Sequence, residues 1–159
     1  MSDFLCAPQT PAACLREELL GVLIGLALAT TSEPKTENTD EVLNAGLRLA
    51  AQPDAPAEKL QQMLAIARTE KHTVAPNCAT CAMPCGNTAD YDLARLRSAP
   101  EPVRALKLRL LQALFRLAQG RPDEAAQYNI YQGLFTLAED WDEALLLPVV
   151  QRAEGLCIE

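Results

Sequence analysis

Hydrophobic positions recur three and four residues apart along almost the whole chain, which is the period of an α-helix. The first run opens at Thr10, a capping residue, followed by Pro11 at the position where a missing N–H costs nothing. Leu15, Leu19, Val22, Leu23 and Leu26 fall on one side, and Leu20, Ile24 and Leu28 widen the stripe. A helix that apolar belongs at the centre of a bundle. Gly21 and Gly25, four apart, admit a close neighbour. The polar stretch 30–38, with Pro34, reads as a loop. A second helix starts at Thr39 or Asp40, turns Leu43, Gly46, Leu47 and Ala50 inward, and stops at Pro53. Pro56 opens a third, with Leu60, Met63, Leu64 and Ala67 inward, running to about His72.

The second half repeats the pattern. Thr88 is placed to cap a short helix over 89–97, with Asp90 favoured at its positive end. Pro100 and Pro102 break the chain before a long helix over about 102–119. That helix keeps Leu106, Leu110, Ala113, Leu114 and Leu117 inside and leaves Arg104, Lys107, Arg109 and Arg116 for solvent. Gly120 is a stop, and Pro122 starts a helix with Ala126, Ile130, Gly133, Leu134 and Leu137 inward. Asp140 and Glu143 form a capping box for a last helix over 141–154, which Pro148 should kink or interrupt and Gly155 should end.

Two parallels emerge. Residues 19–27 run alongside 110–118, so that Leu23 matches Leu114, and residues 43–47 run alongside 130–134, so that Gly46 matches Gly133. A third helix follows in each half, with Ala67-Arg68 or Gln151-Arg152 near its end. The expected fold is all-α: two three-helix units related by an internal repeat and joined by a cysteine-rich loop. It is expected to form a single compact domain over 1–159, with helical units at 11–72 and 99–155 flanking the loop and short helix at 73–98.

Composition agrees with helices. Hydrophobic residues make up 49% of the 159, yet aromatics only 4%, so Leu and Ala supply the core. The net charge of −7, with no run of Lys or Arg, makes nucleic acid and anionic membrane surfaces poor partners. No basic stretch precedes an apolar one near the start, and the run 19–29 is too short to span a bilayer. A soluble, cytoplasmic protein with reduced thiols is the expectation.

The chemistry concentrates in one stretch. Cys78, Cys81 and Cys85 stand in the spacing C-x2-C-x3-C, between Pro76 and Pro84 and just before Gly86. Prolines keep the stretch out of helices, and short spacings let several thiolates converge on one iron–sulfur cluster or zinc ion. For a cluster, with 4Fe–4S favoured, the fourth ligand is Cys6, Cys14, Cys157, a partner's residue or an open position. For zinc, His72 is the candidate, since it is the single histidine and lies six residues before Cys78. Each has a plainer reading: Cys14 and Cys157 as small core residues, His72 as a solvated residue favoured at a helix C-terminus. A third option is a dithiol–disulfide pair at Cys78 and Cys81 acting as a redox sensor. The carboxylates Glu17, Glu18, Asp140, Asp142 and Glu143 sit where helix starts favour negative charge, and Asp90, Tyr91 and Asp92 read either as neighbours that tune the cysteine site or as a helix start with a packed tyrosine.

At Cys85-Gly86-Asn87-Thr88-Ala89-Asp90, followed by paired Leu/Ala-rich helices, the chain resembles the N-terminal part of the hybrid cluster protein, or hydroxylamine reductase, family. Cys78 and Cys81 look like the family's opening C-x2-C and Cys85 like the cysteine of its closing C-G-x-T/S element. The segments 130–137 and 141–150 look like its early helices, so the likeness covers about residues 76–155. The motif here is shorter, with three cysteines, and lies in mid-chain. The family's reduction chemistry belongs to later domains, which this chain lacks, so hydroxylamine reduction is not carried over. The resemblance implies a helical scaffold for an electron-transfer cluster that exchanges electrons with a redox partner protein.

Overall fold

The computed structural model describes residues 9–30, 37–74, 91–120 and 122–157, and every regular element among them is a helix. In order these are α1 (Pro11–Ala29), α2 (Glu37–Ala50), α3 (Ala57–Val74), α4 (Ala94–Ser98), α5 (Val103–Gln119), α6 (Glu124–Ala138) and α7 (Glu143–Leu156). None is long and apolar enough to cross a membrane. The chain divides into two compact units, Pro8–Tyr91 and Asp92–Glu159. The boundary falls within the span expected to bridge them, so the short helix α4 belongs with the second unit.

In the first unit α1 is the central rod. Thr10 caps it by accepting from the Ala13 N–H, and Pro11 occupies its first turn, as the pattern predicted. Every residue of the run 19–27 is buried, and Leu19, Leu20, Leu23 and Leu26 are wholly so. Each such leucine contributes about 1.5–3 kcal/mol relative to exposure. α3 packs along α1 most extensively, and α2 packs on both. Leu23 crosses α2 at Gly46, and at the far end of α2 the Arg16 Nε donates to the Ala50 carbonyl, covering one of the helix's terminal acceptors.

In the second unit α5 is central, with α7 and α6 packed on it and on each other and α4 across it. Leu114 crosses α6 at Gly133, and Lys107 Nζ donates to the carbonyl of Glu139, the C-cap of α6, at 2.9 Å. Both helix crossings use leucine over glycine, and both second helices have a cationic side chain from the first at their last carbonyls.

Several boundaries differ from expectation, each for a local reason. α2 begins at Glu37, because Asn38 and Thr39 bond to Glu70 of α3 instead of preceding the helix. Within the helix expected over 89–97, the described residues 91–93 are not helical and α4 begins at 94: Tyr91 is held by Gly21, and Asp92 accepts from the Ala94 N–H. α6 starts at Glu124, capped by Asp123, and not at Pro122, and Asp142, not Asp140, caps α7, while Asp140 pairs with Arg95 at 3.2 Å. α7 runs through Pro148, which is exposed, so water can satisfy the carbonyl its ring deprives of a donor. It also continues past Gly155 to Leu156, and Cys157 forms the C-cap, bonding back to the Glu154 carbonyl at 3.1 Å. Lys107, expected in solvent, is only 4% exposed, because it sits beside Leu106, Leu108 and Leu110 on the inward side of α5.

Candidate functional site

Of the proposed ligands, Cys6, Cys78, Cys81 and Cys85 lie outside the described residues, as does Asp90. What is described is how the cysteine stretch is bounded. On its N-terminal side α3 ends at Val74, four residues before Cys78 and only 5% exposed. Just before it, Glu70, 5% exposed, accepts from Asn38 Nδ2 at 2.7 Å and from Thr39 Oγ1 at 2.6 Å. Hydrogen bonds to a carboxylate are stronger than neutral ones, so the last turns of α3 are tied to the first turn of α2. His72, in that last turn, is exposed.

On the C-terminal side, Tyr91 is buried and its N–H donates to the Gly21 carbonyl of α1 at 3.1 Å. The approach is main chain to main chain. A Cβ on Gly21 would strike the Tyr91 carbonyl oxygen and stand 3.5 Å from its carbon. Asp92 Oδ1 accepts from Ala94 N at 2.9 Å. Tyr91 is thus packed and Asp92 stands at the start of α4, while the cysteines that the other reading would have them tune lie outside the described residues. Both described flanks of the cysteine stretch are fastened within one unit, one through α3 and the other directly on α1.

The remaining candidates are placed separately. Cys14 is exposed in the first turn of α1. The Arg16–Ala50 and Thr39–Glu70 contacts set α1 and α3 side by side in the same direction, which leaves Cys14 at the opposite end of the unit from Val74 and His72. Cys157 is half-buried in the second unit, with Sγ 3.4 Å from the Ala153 carbonyl and 3.5 Å from that of Ala113. Burial pushes its thiol pKa up, Arg116 pulls it down, and Glu154 adds to the rise. Two carbonyl acceptors and desolvation both favour the protonated thiol over a ligating thiolate. Among the described residues no three His, Cys, Asp or Glu side chains come together to hold a metal ion.

The pattern analysis missed Glu70 and Lys107 as interior groups, although both carry a signal. Glu70 continues the α3 stripe of Leu60, Met63, Leu64 and Ala67 by one more step of three, and Lys107 lies three before Leu110 and four before Leu111. An open groove at the start of α6, lined by Asp123, Glu124, Tyr128 and Arg152, is a further feature that hydrophobic spacing does not reveal.

No family model matches the chain, and no curated protein or solved structure shows significant similarity to it.

Proposed function

We propose that the protein binds an iron–sulfur cluster through Cys78, Cys81 and Cys85 and passes single electrons to or from a partner redox protein. The observation that carries this reading is the C-x2-C-x3-C spacing in a span whose two described flanks are fastened to the same three-helix unit. Anchoring both ends lowers the entropy lost when three thiolates are gathered on one centre. The prolines and Gly86 within the span disfavour a competing helix. The likeness to the cysteine motif of the hybrid cluster protein family points the same way. When bound, the cluster would supply one-electron chemistry: one electron leaves the partner's reduced centre and enters the cluster, or the reverse, and no bond in the protein is made or broken. His72, Cys6, Cys14 and Cys157 remain the in-chain candidates for the fourth position, and the Cys157 thiol, half-buried and directed at two carbonyls, resists the thiolate form that ligation needs.

The test is anaerobic purification followed by iron, acid-labile sulfide and zinc analysis of the wild type and of Cys81→Ser. Brown protein with iron and sulfide, lost in the variant, is the expected result. Colourless protein with one zinc per chain would replace the cluster with a structural zinc site. Metal-free protein with a reversible Cys78–Cys81 disulfide would make it a thiol sensor. Equal metal in both proteins would remove Cys81 from the site.

A further inference from the structure

Charges of both signs line the groove at the start of α6 without meeting each other. Asp123 and Glu124 stand at the head of α6 and Arg152 near the end of α7, and all three are exposed. Asp123 Oδ1 accepts from the Ala126 N–H at 2.8 Å, which fixes that carboxylate at the rim. Apart from this cap, none of the three has a hydrogen-bond or ion-pair partner among the described residues. Arg95, Arg104 and Arg109 of the same unit, by contrast, each pair with an acid. Tyr128 lines the same groove and is 61% exposed. A ring left so bare attracts apolar groups, and its face attracts cations. Pro148 and Leu145, four and seven residues before Arg152, share its side of α7 and are exposed as well. The apolar surface therefore continues along the helix away from the charged end.

We infer that this groove docks a segment of a partner protein that presents a lysine or arginine, an apolar side chain and an acid. The cation meets Asp123 and Glu124 and the face of Tyr128, the acid meets the guanidinium of Arg152, and the apolar residue covers the ring. A segment charged with one sign alone would leave one side of the groove unanswered. The space is about 710 Å³ and lies open along the surface. That suits a peptide segment, whereas a single small molecule there would stay largely in water, and small-molecule sites bury most of their ligand. The chain's net charge of −7 draws in a partner whose approaching surface is cationic. Tyrosine and arginine are also the residue types on which binding energy tends to concentrate. The inference does not rest on cluster binding.

The test selects short phage-displayed peptides on the full chain, after depletion on a protein carrying both Tyr128→Ala and Arg152→Ala. Depletion removes peptides that bind any other surface. Both side chains are exposed, so the doubly substituted protein should fold, which helical circular dichroism checks. The expected result is enrichment of peptides in which a lysine or arginine and an acid flank an apolar residue. A synthetic peptide from that set should bind Tyr128→Ala about tenfold more weakly than wild type, as for a residue on which an interface depends. It should bind Arg152→Glu about tenfold more weakly too, and exchanging the peptide's acid for lysine should restore affinity for that variant. No enrichment, enrichment of peptides without a cation, or a charge exchange that restores nothing would overturn the inference. Displacement of the peptides by free lysine or free glutamate at equal concentration would give the groove to a small zwitterion and overturn it as well.

Discussion

Leu23 lies across Gly46 so closely that a methyl group on the glycine would come within 2.8 Å of both leucine δ-carbons. Both are buried, so the leucine has nowhere to swing. Overpacking of this kind costs about 1–3 kcal/mol, against which alanine returns about 1 kcal/mol of helix propensity over glycine. Gly46→Ala should therefore lower stability in the wild-type background. In a Leu23→Ala background the obstacle is gone, and the same change should stabilise by up to about 1 kcal/mol. Urea midpoints of the four proteins in the cycle measure the coupling. Additive effects would mean that the two residues do not meet in solution. Leu114 and Gly133, where a Cβ would be 2.6 Å from a leucine methyl carbon, should behave in the same way.

Lys107 holds the C-terminal end of α6 from within the second unit, and its pH dependence follows from its surroundings. Desolvation holds its amine below the ordinary 10.5. Asp140 and Glu139 pull the value back up, and Arg95 pushes it further down. Below the depressed value the lysine is charged in both folded and unfolded chains. Between that value and 10.5 the unfolded chain binds more protons, so stability rises with pH and is lost again as pH falls through the window. Wild type should gain on Lys107→Met as the pH is raised from neutral toward 10.5. Urea midpoints of both proteins across that range test this, and a difference that does not change with pH would contradict it.

The two described cysteines should differ in reactivity. Cys14 is exposed, whereas Cys157 is half-buried with its thiol directed at two carbonyls and its pKa raised. Since the thiolate is the nucleophile, a brief pulse of iodoacetamide at neutral pH should label Cys14 well before Cys157. Peptide mass mapping reads the order. Faster labelling of Cys157 would show that its surroundings open readily.

How much of this was visible beforehand depends on the range of the interaction responsible. Thr10, Pro11 and the stripe from Leu19 to Leu26 specify α1 through contacts no more than a few residues apart, and α5 follows from the same rule. The all-α class was legible for that reason. Caps were misread by one or two residues wherever neighbouring acids competed, as at Asp140 and Asp142. That choice was made by Arg95, which is 45 positions away from Asp140.

Spacing alone was enough to put Cys78, Cys81 and Cys85 forward together and to make α1 the core of its unit, because thiolate geometry and helical period are both local properties. Three further features required the packed molecule: Glu70 bonded to Thr39, Lys107 turned inward, and Tyr91 resting on Gly21. In each the partner is more than thirty residues distant. Whether a charge is tolerated inside, or a glycine is needed, depends on which surface the other segment presents, and the chain acquires that information only when its helices meet.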